Sequence, residues 1–228
     1  MENPEIKQPP CEMGEVYRRL VVLEDVVQQL IHPKIKMVVL PGGKAPRRMS
    51  GEAAGFDVYL RAIVSPSEMD PKNPLLRKSL FDFEHVPSNP NNMGHVRELK
   101  GELVYRLDPN ESVLVGIGFL TELPVLPLPM FYWVTPRSGL ASKHKITITN
   151  APGTVDADYR GEAGVLVHNE SNISFDLSRD MRIAQNIYQW ALIPEVELVS
   201  SVDQLSSTGR STGGFGSTGL GGSFSPKS

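Results

Sequence analysis

"KITITNAPGTVDADYRGEAGVLVHN" occupies residues 145–169. β-Branched and polar residues alternate in KITITN, GTVDADY and GVLVHN, and Asn-Ala-Pro-Gly separates the first two runs. The stretch therefore reads as strand, turn, strand and a further strand. Such a hairpin needs no function. An open one, however, offers main-chain donors and acceptors to the edge of a flat ring, and Asn150 adds an amide. Strand spacing would place Asp156 and Asp158 on one face, one to orient water and one to serve structure.

The same texture extends outward. From residue 35 the runs IKMVVL, GFDVYLRAIV, SVLVGIGFL, MFYWV, ISFDL, RIAQNIYQWAL and EVELV are short, β-branched or aromatic, and bounded by turn residues. Many short strands at this spacing predict an all-β, jelly-roll-like barrel or sandwich, with no helix of ordinary length after residue 33. Residues 65–101 break the rhythm with five prolines and little alternation. They are expected to form an irregular insertion, an excursion dispensable for chemistry, with LLRKSLFDF (75–83) as a short ordered element inside it. In front of the barrel, residues 12–31 read as a helix that stops before His32-Pro33. Met13, Val16, Leu20, Leu23, Val27 and Leu30 step by 3, 4, 3, 4, 3, while Val21, Val22 and Val26 widen the apolar face. That pattern serves a helix packed on its own domain or a neighbour, and equally a short self-association helix. The expected organisation is residues 1–33 as an extension whose first ten are disordered, 34–205 as the barrel, and 206–228 as a Gly/Ser-rich tail.

Composition bounds the partners. The chain has 228 residues, 40% hydrophobic and 21% charged, with a net charge of -3. A packed core is supported and a nucleic-acid surface is not. Cys11 is the single cysteine, so no intramolecular disulfide forms and a reducing compartment is expected. The acidic, Pro-rich start does not read as a signal peptide. The longest apolar run (123–134) is too short and too Pro-broken to span a bilayer. The expectation is a cytoplasmic protein (host cytoplasm for a viral source), bound to neither membrane nor nucleic acid.

The five histidines are scattered without zinc spacing, and Ser138 lacks the context of a nucleophile elbow. Two other segments suit phosphate. TPRSGLAS (135–142) combines a guanidinium, a hydroxyl and a glycine, the parts of an anion nest. TGRSTGGFGSTGLGG (208–222) reads as a floppy tail by composition. It also carries Arg210 for bidentate phosphate contact, Phe215 to cover a base, glycines for close backbone approach, and the donors Ser217 and Thr218.

Taken in order, these segments resemble the trimeric all-β deoxyuridine triphosphate nucleotidohydrolases, the dUTPases. Five ordered motifs carry the resemblance: AAGFDVYL (53–60), PRSGLA (136–141), NAPGTVDADYRGEAGVLVHN (150–169), MRIAQNI (181–187) and GRSTGGFGSTG (209–219). The resemblance implies hydrolysis of dUTP to dUMP and diphosphate, with Asp156 as general base for a water attacking the α-phosphate. It implies that Asn150 and the backbone of Gly153, Thr154 and Val155 read uracil. Tyr159 would pack under the deoxyribose and exclude a 2′-hydroxyl. Arg137, Ser138 and Gly139 would hold phosphates, with Gln185 organising that end. Asp57 would act through water on Mg²⁺, and Arg210, Phe215, Gly216, Ser217 and Thr218 would close over the substrate. It further implies a homotrimer with shared active sites, the tail crossing between chains.

Three departures stand out. Asp180-Met181 replaces the usual Gly-Asp before Arg182, so an acidic partner for Arg182 is displaced or absent. Ser211 follows Arg210 where glycine is usual, so positive φ is not expected there. The helix and the 65–101 insertion have no counterpart in minimal members. Some viral members carry an insertion near this place and bind regulatory proteins with it, which makes 65–101 a candidate partner surface. The related dCTP deaminases need an acid on the strand after the third motif, and Val165, Leu166 and Val167 offer none.

Overall fold

A computed structural model describes residues 13–86, 94–209 and 211. The expected disorder of residues 1–10 and the contacts expected of Arg210, Phe215, Gly216, Ser217 and Thr218 lie outside them. Strands are numbered β1 to β14 in chain order. One sheet runs β10 (Ile146–Ile148), β12 (Gly164–Asn169), β7 (Ser112–Gly116), β3 (Ala62–Asp70) and β4 (Asn73–Phe81). A second runs β11 (Gly153–Val155), β9 (Met130–Pro136), β14 (Arg182–Trp190) and β2 (Phe56–Tyr59). The order β13 (Phe175–Ser178), β6 (Glu102–Leu107), β5 (Val96–Leu99) makes a third, and β1 (Lys36–Val39) pairs with β8 (Phe119–Glu122). The architecture is all-β, as the spacing of the runs predicts.

Alternation explains why these segments are strands. In β12 Val165, Val167 and Asn169 turn inward between half-exposed neighbours, and in β9 Met130, Tyr132 and Val134 do so. Apart from Asn169, they join Val58, Ile63, Leu107, Val115, Leu177 and Ile183 in one apolar core drawn from all the sheets. Each such side chain contributes about 1.5–3 kcal/mol on burial.

The segment 65–101 corrects the expectation of an irregular insertion. It holds the end of β3, the whole of β4, and β5, which pairs with β6. Its prolines mislead because Pro66 and Pro74 sit within β3 and β4 and Pro71 lies in the turn between them, positions that edge strands and turns accept. Phe81 and Phe83 belong to the core, 2% and 6% exposed. Dispensability therefore fails on packing grounds. Joining Val64 to Glu102 through a Gly/Ser linker removes both rings, and large-to-small loss of a buried Phe costs about 3–5 kcal/mol. The deleted protein is expected to be insoluble or to melt far below its parent. A melting curve by circular dichroism that superimposes on the parent's overturns this.

Helix α1 spans Met13–Ile31, one residue inside the expected range. A second helix, α2 (Ser138–His144), has only seven residues and closes on Lys145 at φ 59. No helix among the described residues is long and apolar enough to cross a membrane. One compact unit runs to Leu192, and a second begins at Ile193. Within the second, EVELV (195–199) forms no strand, and Val196 and Leu198 are exposed. A single 3-10 turn, Val202–Gln204, is capped reciprocally by Ser201 and Gln204. Ser211 stands at φ 45, against expectation, because its N–H turns back onto Thr208 O and Oγ1 at 3.1 and 3.2 Å.

Candidate active site

β10 and β11 follow each other in sequence yet join different sheets, and each is the terminal strand of its own. The turn between them thus bridges two unpaired strand edges. Thr149 N donates to Leu166 O, Ala151 N donates to Ile148 O, and Asn150 Oδ1 accepts from Leu166 N at 3.2 Å. These bonds fix the Asn150 amide beside Gly153. Beside the turn and β11 lies a cavity of about 220 Å³, lined by Asn150, Gly153, Thr154, Val155, Asp156 and Tyr159 together with Arg77 and the start of β12. An unpaired strand edge is a row of free N–H and C=O groups. A planar ring with alternating donors and acceptors satisfies such a row where a third strand cannot enter.

β11 ends at Val155, and Tyr159 N donates to Asp156 O at 3.2 Å, so the chain turns directly after the strand. Strand alternation therefore does not relate Asp156 to Asp158. Exposed Asp156 lines the cavity, whereas Asp158 lies in the turn and is not among the lining residues. Tyr159 Oη donates to Glu162 O at 3.0 Å, which holds the ring across the loop. A Cβ on Gly161 would stand 2.7 Å from that hydroxyl, so the ring's position requires glycine there.

Glu162 is 0% exposed and anchors this loop. Its carboxylate accepts from Arg61 Nε and Nη2, each at 2.8 Å, and from Gly118 N at 2.9 Å. Arg77 N approaches Oε2 at 3.3 Å, Arg77 Nε donates to Glu162 O at 3.2 Å, and Glu162 N donates to Leu75 O at 2.8 Å. β4 is thereby bonded to the loop that carries Asp156 and Tyr159. Sequence reasoning assigned no role to Arg61, Arg77 or Glu162. The available signal was Glu162 itself, a carboxylate next to the apolar run AGVLV, which demands a cationic partner if buried.

A second cluster gathers where β2, β9 and β14 meet. Asp57, 8% exposed, accepts from Arg137 Nε at 3.2 Å and from Arg182 Nη1 at 3.0 Å. Arg137 Nη1 also donates to Arg182 O at 3.0 Å. The acidic partner of Arg182 is thus present, supplied by β2 rather than by its own motif. Gln185 lies opposite Asp57 in register and donates to Pro136 O at 3.1 Å. Ser138 and Gly139 follow Arg137 in the first turn of α2 and are exposed. None of Arg137, Ser138, Gly139 or Gln185 lines the hairpin cavity. The chain brings the expected residues into two clusters, one lining the hairpin cavity, the other centred on Asp57 and its two arginines.

Both oxygens of Asp57 are engaged by guanidinium groups, those of Arg137 and Arg182. Among the described residues, groups with metal-ligand spacing are Asp82, Glu84, His85 and His95, Asp108, Glu111, and neither lies in the two clusters.

A family model described as dUTPase matches residues 104–219. The chain is 49% identical over 114 residues to the deoxyuridine 5'-triphosphate nucleotidohydrolase of Gloeothece citriformis, covering 74% of that protein and 50% of this one. It is 46% identical over 110 residues to the protein of the same name from Clostridium acetobutylicum, covering 72% of it. The chain belongs to the dUTPase family. Among solved structures, a variant dUTPase of Staphylococcus bacteriophage 80alpha with dUpNHpp superimposes with a TM-score of 0.57 at 18% identity, covering 82% of this chain and 99% of that one. The dUTPase from phage phi11 of S. aureus, described with a species-specific insert, gives 0.51 at 15% identity over 75% of this chain and 99% of that one. At these identities the likeness concerns the dUTPase fold alone.

Proposed function

We propose that this dUTPase hydrolyses dUTP to dUMP and diphosphate, lowering the uracil available to DNA synthesis and supplying dUMP for thymidylate. The supporting observation is the cavity beside β11, the terminal strand of its sheet, with Asp156 in its lining. Uracil presents a 4-oxo acceptor and an N3 donor to the hairpin backbone and Asn150. Cytosine reverses both and leaves buried polar groups unpaired, the form of discrimination that reaches furthest. β12 carries no carboxylate for a deaminase to use on an amino group.

Asp156 takes a proton from a water as its oxygen attacks the α-phosphorus. The bond from the α-phosphorus to the bridging oxygen breaks, and diphosphate leaves. Arg137, with Ser138 and Gly139, neutralises the phosphate chain. Asp57 keeps the Arg137 guanidinium in place, and Gln185 braces the end of β9. Mg²⁺ arrives chelated by the triphosphate as part of the substrate. Arg210, Phe215, Gly216, Ser217 and Thr218 close over the bound nucleotide and exclude water. The reaction takes place in the cytoplasm. Diphosphate release measured across dUTP, dCTP, dTTP and UTP, with and without Mg²⁺, tests the reading. dUTP should be turned over far ahead of the others, and equal rates overturn it. Trimming Tyr159→Ala removes the ring beneath the sugar and is expected to raise UTP turnover relative to dUTP. An unchanged ratio places the gate elsewhere.

The separation of the two clusters within one chain supports a homotrimer in which each site draws on different chains. Two inactive variants test the sharing. Asp156→Asn spoils the hairpin and Arg210→Ala the tail. Random assembly at equal amounts makes about one site in four whole if the tail crosses, one half times one half. Co-refolded mixtures should regain about a quarter of parental activity by that count. Verified mixed trimers with no recovery show that each tail serves its own chain.

A further inference from the structure

α1 is a 19-residue helix in which every residue from Gly14 to Asp25 is exposed. Its last turn is tied down where Trp190 Nε1 donates to Leu30 O at 3.1 Å, and Val26 and Leu30 are half-buried. Towards the N-terminus the apolar stripe stands in solvent, with Val16 38%, Leu20 57%, Leu23 58% and Val27 43% exposed. Soluble helices of this length owe most of their stability to an apolar face that is covered. The own-domain packing that the sequence allows is therefore not what the chain adopts over this stretch.

We propose that α1 packs against the α1 helices of other copies of this chain as a parallel, in-register coiled coil. Position and charge together select that occupant. With Leu20 and Val27 at a positions, Val16, Leu23 and Leu30 fall at d, so every a and d position from 16 to 30 is aliphatic. The same frame puts Arg19 at g and Glu24 at the following e. In a parallel pair, g of one helix meets the following e of its neighbour, so each seam receives Arg19 against Glu24. An antiparallel pair sets e against e and brings the glutamates together. Among the described residues neither Arg19 nor Glu24 has an ion-pair partner in its own chain, whereas Arg18 is paired with Glu15 on the outer face. The contact is independent of the barrel-to-barrel association proposed above.

Position-specific cross-linking of the full-length chain tests it. Cys11 is the only native cysteine, so Cys11→Ser gives a clean background. In that background Leu23→Cys places a thiol at d, and Arg18→Cys places one on the outer face. Disulfides need Cα atoms about 4.4–6.8 Å apart, a separation that facing d positions provide and outer positions do not. Under mild oxidation Leu23→Cys should link neighbouring chains at least ten-fold faster than Arg18→Cys. Complete linkage marks a two-stranded coil, and linkage that stops at two thirds of the chains marks a three-stranded one. Arg19→Glu should slow the Leu23→Cys reaction, and adding Glu24→Arg should restore it. Equal rates at positions 18 and 23, or no linkage at 23, overturn the coiled coil. Native mass and diphosphate release on the same samples separate the two ideas. An active trimer without linkage at 23 removes the α1 contact and leaves the catalytic reading standing.

Discussion

Asp156→Asn is expected to lower kcat for dUTP by about 10²–10⁴-fold, the usual cost of losing a general base. The substitution keeps size and shape at a position whose side chain is exposed at the cavity rim. Melting temperature and nucleotide affinity should therefore remain those of the parent. Steady-state diphosphate release gives the rate, and calorimetric titration with a non-hydrolysable dUTP analogue gives the affinity. Parental turnover would remove Asp156 from the mechanism. A rate loss matched by lost binding would make it a binding group rather than a base.

Glu162→Ala is expected to act on stability first. It strands the Arg61 guanidinium, 7% exposed, without its carboxylate, and it frees Gly118 N as well. Removing one partner of a buried pair costs about 3–5 kcal/mol. At about 2–4 °C per kcal/mol for a domain of this size, the melting temperature should fall by about 6–20 °C. Glu162→Gln keeps acceptors for Arg61 and should lose less. Thermal melts of the three proteins at one concentration check the order, and an alanine variant melting with the parent would show that the pair carries no net stability. The lost carboxylate bonds anchor the loop whose main-chain Glu162 O receives Tyr159 Oη, so residual activity of the alanine variant should show a weakened preference for dUTP over UTP.

The strands that alternate cleanly were legible from sequence, since β12 buries every second residue and β9 does so from Met130 to Val134. β4 and β5 were not, because prolines and charges mask them and their burial depends on partners distant in sequence: β4 lies on β3, and β5 on β6. β6 escaped notice for a similar reason, its ELVYRL carrying charges at both ends. EVELV failed in the opposite sense: it is β-prone by composition yet forms no strand, and Val196 and Leu198 are exposed. The hairpin residues of the site were readable because they are contiguous from Asn150 to Tyr159. The Asp57–Arg137–Arg182 cluster spans three motifs, and only the sheet order β9, β14, β2 reveals that one carboxylate serves both arginines. Arg77 reaches the cavity from β4 and carries no local mark at all.

Two glycines described by their surroundings bear on how such a chain changes over generations. A methyl group on Gly161 would meet the Tyr159 hydroxyl at 2.7 Å, and one on Gly55 would meet Gln185 Oε1 at 2.4 Å. Each glycine is the imprint of a larger residue elsewhere. Drift at 161 is consequently tied to 159, and drift at 55 to 185, although the second pair lies 130 positions apart in the numbering. A lineage that keeps Tyr159 cannot acquire alanine at 161 without first displacing the ring. Inherited change at these four positions is thus expected to proceed by paired steps, with the small residue yielding only after its large counterpart has shrunk.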